Sequence, residues 1–500
     1  MLAALFLMGT VAAAEPDAEY TVAISGSEPR VARVQAAVTV SEQTLKMLPW
    51  GHPWLPNGWA TFVHELEVRD AAGDPVEAKL VEEDGWGSWE VAVEDGEMLQ
   101  LSYSVRFDHD QYDWDRAGGV DSRPALSNGA LFLVSRALFI YSPGVASARV
   151  RFDVPEEWQV STPWEPIAGE PDAYDVDSWD SLVSNALVLG DYERRVIEQG
   201  GMEIILAVDG ALGDWIGEFH DLFGIQLDSY GRLFGGIPQT RYLVTIRAAA
   251  EIDGESYHDS FNLVTTVENL ALRKVIWANT LGHELFHYWN GANYLVGREK
   301  SRVEWFGEGF TEYYSSLTLF RAGIIDQAMY FRKLERYLAR YQITRRMWPV
   351  EALSLVEAGR DKGVNWLQIY GGGATLALIL DIEIRSATGG QRGLDEVMRL
   401  MKERFGDTGE PYDVEDVLDC VNRVSGSDFT AFFEAHVFGA SEQLDLAQHL
   451  SKAGLFVGQF SDEFYIQTLD EPTGEQQVIW NGLAARADGL SAESGAAIGR

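Results

Sequence analysis

Thiols are almost missing from this chain. Cys420 is the single cysteine in 500 residues, so no intrachain disulfide can form, and any bound metal must be held by nitrogen and oxygen. Its apolar, periodic surroundings over 414–421 predict a helix with Cys420 as a small core residue. Positive charge is scarce as well: 39 Lys plus Arg stand against 77 Asp plus Glu, a formal net charge of −38. A field of that sign repels nucleic acid and anionic membrane surfaces, which removes both as partners. The acidity itself reads as a solubility device. Beyond the first fourteen residues, no apolar run approaches the roughly 20 residues that cross a bilayer, so no integral membrane segment is expected in the mature chain. There is no internal repeat.

What remains is the composition of a folded, multidomain protein. Hydrophobic residues make up 46% and aromatics 12%, ample for packed cores, and 500 residues call for two or three of them. Residues 1–14, an apolar run closing on Ala12-Ala13-Ala14, have the form of a signal peptide with a small-residue cleavage site, although no Lys or Arg precedes it. That reading implies export to the periplasm or the extracellular space.

Short alternating runs from about Tyr20 to Ala207, separated by Gly, Pro and Asp, predict an antiparallel β-sandwich over 15–210. Within it, Asp108–Asp115 reads as an exposed loop and His64-Glu65 as part of a strand. Residues 211–235 turn helical, and strands are expected at Arg241–Arg247 and Phe261–Thr266. From Phe320 the chain is largely helical. A hairpin is expected to pair Phe464–Thr468 with Gln476–Trp480 around Pro472-Thr473-Gly474, and Ala487–Arg500 is expected to be disordered.

The most specific stretch is His283-Glu284-Leu285-Phe286-His287, an H-E-x-x-H run in a proline-free segment, 274–290, whose apolar spacing predicts an amphipathic helix ended by Gly291. Positions four apart share a helix face, so both imidazoles can close on one metal ion, with Glu284 beside its open position. With nine histidines in 500 residues, chance would produce the run on the order of 0.01 times. A catalytic zinc takes three protein ligands and leaves a fourth position for water. The third is expected from the helix that begins near Trp305. Glu308 lies on it, Glu304 and Glu312 each fall within one helical turn of Glu308, and spacing alone rejects none.

H-E-L-F-H-Y-W-N, then W-F-G-E-G-F-T-E-Y-Y, then Tyr370 in I-Y-G-G-G-A, then L-D-I-E-I-R-S-A-T-G-G-Q-R-G-L-D-E-V-M-R-L resemble the glycyl aminopeptidase family of zinc metallopeptidases. These are gluzincins with a thermolysin-like catalytic domain, related to the alanyl aminopeptidases. The match runs in order from about residue 20 to 456, its specificity concentrated in 283–312 and 370–402. It implies a multidomain α+β fold: an N-terminal antiparallel β-sandwich, a thermolysin-like α/β zinc domain over 211–330, a helical region over 331–456 completing the active site, and a short hairpin and tail over 457–500.

By resemblance Glu308 is the third zinc ligand after His283 and His287, with one Zn²⁺ per chain, and Tyr370 is the tyrosine whose hydroxyl faces the metal. The family carries lysine two residues past that tyrosine, where this chain has Gly372. Its glycine-rich segment, whose carboxylate grips the substrate's amino terminus, is replaced by Gly254–Ser260. There Asp259, beside His258, falls 24 residues before His283 and takes that role. Glu312 and Asn290 are candidates for orienting the histidines. The expected activity is removal of amino-terminal residues from peptides: Glu284 acts as general base and acid on a zinc-activated water, and Tyr370 stabilises the oxyanion. The alternatives are an endopeptidase with the same chemistry and a non-catalytic peptide-binding relative.

Overall fold

The computed structural model describes residues 16–49, 55, 57–112, 123–347, 353–440 and 443–485. The N-terminal run and the tail beyond Ala485 lie outside the described residues, so the signal-peptide and disorder expectations fall there. The chain divides into two compact units at Asp191/Tyr192.

In the first unit, alternating residues build a seven-stranded sheet with Ala18–Ile24 at its centre, a four-stranded sheet and a three-stranded sheet. The centre strand buries every second residue, and Tyr20 from it packs edge-on against Phe139, which in turn meets Trp164. Pairing is antiparallel as the alternation predicts, with one exception: Ala18–Ile24 runs parallel to Ala148–Asp153. His109, expected on an exposed loop, is fully buried and stacks 3.5 Å from the Phe62 ring. The apolar wall of Trp59 and Phe62 captures the imidazole as a core residue.

The second unit is built on a five-stranded sheet: β1 (Glu193–Gln199), β2 (Met202–Val208), β3 (Arg241–Ala248), β4 (Asp253–Ser256) and β5 (Ser260–Thr265), in the order β1-β2-β3-β5-β4. β2, β3 and β5 are mutually parallel, and β1 and β4 are antiparallel edges. Residues 202–207 thus belong to this sheet and not to the sandwich. The reason is visible in the sequence: Ile204–Val208 is a continuous apolar run buried throughout, as a parallel strand covered on both faces requires.

Helices follow: α1 (Ile216–Phe234), α2 (Lys274–Phe286), α3 (Lys300–Arg321), α4 (Gln327–Gln342), α5 (Gly373–Ala387) and α6 (Leu394–Met401), with a wide helical turn at Leu367–Gly372 leading into α5. Together Leu367–Ala387 are long and apolar enough to cross a membrane, contrary to expectation. Its most apolar 18 residues are 83% buried, however, and the segment is a core helix of this unit. Two of the three glycines after Tyr370 serve close approach. A Cβ on Gly373 would sit 2.3 Å from the Trp305 carbonyl oxygen, and one on Gly371 would sit 2.3 Å from Arg340 Cβ. Small residues here let α5 lie directly on α3.

A buried carboxylate fastens the same pair. Asp381, fully buried on α5, accepts hydrogen bonds from Arg385 Nε (2.9 Å), the Leu394 amide (2.8 Å) and the Tyr313 hydroxyl on α3 (2.8 Å). Asp381→Ala strips a buried arginine of its partner and is expected to cost about 3–5 kcal/mol. A urea midpoint equal to wild type would contradict this.

The tail departs from expectation. Glu463–Thr468 does form a hairpin, but its partner is the preceding strand, Leu455–Phe460. Gly474–Ala484 is a helix opened by a capping box in which Thr473 and Gln476 bond each other's backbone. Thr473-x-x-Gln476 is itself a helix-start signature, and it overrides the turn suggested by Pro472 and Gly474.

Candidate active site

α2 carries His283 and Glu284, and His287, its C-cap residue in helical geometry, keeps the expected shared face. It ends at Phe286, four residues before the predicted end, because Asn290 and Gly291 leave helical geometry, Gly291 at φ 137°. That break turns the Asn290 carbonyl onto His287 Nδ1, at 3.0 Å. The Asn290 amide meanwhile ties the turn to α3, donating to the Phe306 and Gly307 carbonyls and to Thr311 Oγ1 at 3.2–3.3 Å. Asn290 therefore touches a histidine through its backbone, while its side chain holds the neighbouring helix.

From α3, Glu308 Oε2 comes within 3.2 Å of both His283 Nε2 and His287 Nε2, and the two ring nitrogens are 3.1 Å apart. Among the described residues this is the cluster of three such side chains able to hold a metal. A tetrahedral zinc with bonds of about 2.0–2.1 Å separates its donors by about 3.3 Å, so the triangle and its two-nitrogen, one-oxygen chemistry fit that ion.

Around the triangle each group has its own partner. His283 Nδ1 lies 3.3 Å from Glu312 Oε2, which also accepts from Asn279 at 3.1 Å. The other oxygen of Glu312 accepts from the Tyr337 hydroxyl at 2.9 Å and faces Lys333 at 3.5 Å. With Nδ1 occupied on both rings, each histidine turns Nε2 toward the other ring and Glu308 Oε2.

Burial alone would lower His283, but Glu308 and Glu312 overcome it and push the imidazole up to about 10. Burial would raise Glu308 and Glu312. Lys362 and His287 instead hold Glu308 well below the usual carboxylate range, and Lys333 and His283 do the same for Glu312. Glu284 is raised by burial, against the pull of both histidines.

The edge strand β4 lies against Glu284. Ser256 Oγ is 2.8 Å from Glu284 Oε2 and 2.7 Å from the Glu284 carbonyl oxygen, and a Cβ on Gly254 would come within 2.6 Å of Glu284 Cγ. Ser256→Ala removes a hydrogen bond to a charged group, worth about 1.5–3 kcal/mol. It is expected to lower kcat about tenfold or more at unchanged metal content. Equal kcat in the variant would show that β4 does not hold this carboxylate.

Tyr370 reaches the cluster from the turn before α5. Its ring stacks 5.8 Å from His283, and its hydroxyl is pushed up by burial and by Glu308. His258 and Asp259, on the β4–β5 turn, pair with each other at 2.6 Å. The hairpin's contacts with Glu284 are made by Gly254 and Ser256. Thus His283, Glu284, His287, Glu308, Glu312 and Tyr370 converge, Asn290 contributes its carbonyl, and Asp259 engages His258. Sequence reasoning missed Ser256, Asn279, Lys333, Tyr337 and Lys362. These come from other elements at separations no spacing rule covers, and the absence of lysine at 372 gave no pointer to one at 362.

Comparison with known proteins follows the same division of the chain. Residues 277–371 match the M61 glycyl aminopeptidase model, and residues 19–191 match the Peptidase M61 N-terminal domain. Among solved structures, an aminopeptidase N family protein from Idiomarina loihiensis is 19% identical, with a TM-score of 0.72 over 88% of this chain and 79% of its own. The M1 zinc metallopeptidase of Deinococcus radiodurans is 14% identical, with a TM-score of 0.54 over 85% of this chain and 94% of its own. A variant of that enzyme bound to a Tyr-Ser-Ala substrate is 15% identical, with a TM-score of 0.55 over the same shares. At such identities the likeness establishes the fold. No curated protein matches.

Proposed function

Because the chain belongs to the M61 glycyl aminopeptidase family, whose two models together span more than half of it, we propose that this zinc metallopeptidase removes residues from the amino terminus of peptides. The observation that carries the reading is the triangle of His283, His287 and Glu308 donors, 3.1–3.2 Å on each side, with Glu284 beside it. A relative of the same fold holds a tripeptide substrate, which supports a peptide as the ligand here.

His283, His287 and Glu308 would hold one zinc, which when bound supplies Lewis acidity and brings the pKa of a water from about 15.7 toward about 7. Glu284, whose pKa burial raises and so makes it a better base than a free carboxylate, would accept that water's proton and hand it to the departing amine. The Tyr370 hydroxyl, kept protonated by its elevated pKa, donates a hydrogen bond to the oxygen that gains charge. Ser256 keeps the Glu284 carboxylate facing the reaction. Glu312 and the Asn290 carbonyl hold the two imidazoles in register. Asp259 is the carboxylate offered to the substrate's amino terminus, with His258 beside it. Export of the enzyme remains part of the proposal, on the strength of the N-terminal apolar run.

The 2.6 Å pairing of Asp259 with His258 favours a second reading, an endopeptidase, since an engaged carboxylate grips an amino group less readily. Purified, zinc-loaded protein should cleave a peptide with a free amino terminus and leave its acetylated form intact. Equal cleavage of the two would replace the aminopeptidase reading with the endopeptidase one, and cleavage of neither across a peptide library would leave a peptide-binding relative.

A further inference from the structure

Glu308 uses its two oxygens differently. Oε2 faces both imidazoles at 3.2 Å, while Oε1 is in contact with the ammonium of Lys362. The same ammonium lies 3.6 Å from Glu304 Oε2 and 5.6 Å from the centre of the Tyr370 ring. The loop that delivers it is docked on the helix carrying both glutamates. A Cβ on Gly359 would sit 1.8 Å from the Ser301 carbonyl oxygen, so only glycine permits this approach. The Asn365 amide then pins the loop by donating to the Ala358 and Asp361 carbonyls, each at 3.0 Å.

We propose that Lys362 is a positioning residue for the metal ligand: it occupies Glu308 Oε1, so that the carboxylate meets zinc through Oε2 alone. The inference rests on zinc being held by His283, His287 and Glu308. A free carboxylate beside a divalent ion can swing to offer both oxygens and fill the position that water needs. An ammonium bound to one oxygen prevents this. It also draws charge from the ligand, leaving the ion a stronger Lewis acid. Partners of this kind change metal affinity or activity by about 10–100-fold when removed.

The test compares wild type, K362M and K362R. Zinc affinity is measured by competition with a chelator, and the visible spectrum is recorded after loading with cobalt(II), whose band intensity falls when a fourth protein atom, the second oxygen of Glu308, joins the ion. K362M, whose Glu308 is free to offer both oxygens and its full charge, should bind zinc about 10–100-fold more tightly and show dimmer cobalt bands, and K362R, which keeps the charge and an N–H donor, should stay close to wild type in both. A lysine that merely fastened the loop would shift thermal stability and move neither readout. Wild-type affinity with an unchanged cobalt spectrum in K362M overturns the proposal. Should K362M fail to fold, the K362R pair of measurements decides: tighter zinc binding with dimmer cobalt bands, the charge retained and the fold intact, would also overturn it. E308A separates this from the underlying assignment, since one zinc retained there at wild-type affinity would mean the ligand set itself is wrong.

Discussion

Glu284→Gln is expected to lower kcat by about 10²–10⁴-fold while the purified chain still carries one zinc. The substitution keeps the shape of the side chain and an oxygen for Ser256, and removes only the capacity to take a proton. Glu284 sits one residue past a metal donor, is buried, and points from α2 toward β4, where Ser256 holds its carboxylate at 2.8 Å. It contributes no atom to the triangle of donors, so metal content should not change. Steady-state kinetics on an aminoacyl reporter together with metal analysis distinguish the outcomes. If activity survives, the proton acceptor lies elsewhere. If activity and zinc vanish together, the loss says nothing about proton transfer, and Glu284 would have to be reassigned as a ligand or as part of the fold.

The same helix shows what a sequence can and cannot tell. Glu304, Glu308 and Glu312 recur every four residues on α3, so helical period turns all three toward α2, and no argument from spacing could rank them. The structure puts them at different places around the two imidazoles: Glu308 among the ring nitrogens, Glu312 behind His283 Nδ1, and Glu304 against Lys362. Periodicity fixed the face, and the lateral offset between the two helices fixed the roles. That offset comes from side chains far apart in the chain. Gly309 and Gly373 let α3 and α5 touch, a Cβ on Gly309 lying 2.4 Å from Gly373 Cα, and Asp381 clasps Tyr313 across the same junction. The H-E-x-x-H run was legible because its chemistry is local. Lys362, Ser256 and Tyr337 were not, because each belongs to the site only through tertiary packing. Strand 202–208 is legible as a strand but not as a member of the second unit's sheet, and helix 474–484 is hidden, for a different reason. Local signals for each are present, the apolar run Ile204–Val208 and a capping box, but the alternating strands before the first and the turn residues Pro472 and Gly474 compete with them.

Stripping zinc with a chelator is expected to abolish turnover completely and reversibly, with activity returning at one equivalent of added Zn²⁺. His287→Ala should reproduce the loss without recovery. The effect on stability should be as plain. An ion that binds the folded chain alone stabilises it by RT ln(1 + [L]/Kd), about 4.1 kcal/mol when free zinc stands a thousandfold above Kd, so thermal midpoints should rise with zinc concentration and fall on chelation. Each imidazole is held by a partner other than zinc: His283 Nδ1 meets Glu312 and His287 Nδ1 meets the Asn290 carbonyl. Contacts of that kind, together with the packed helices that carry them, fix both rings whether or not the ion is bound. The stripped protein should therefore keep its circular dichroism and regain activity faster than it could refold. A metal-free chain that unfolds instead would show that zinc builds this site, and one that still hydrolyses peptides would show that the triangle is not where the chemistry happens.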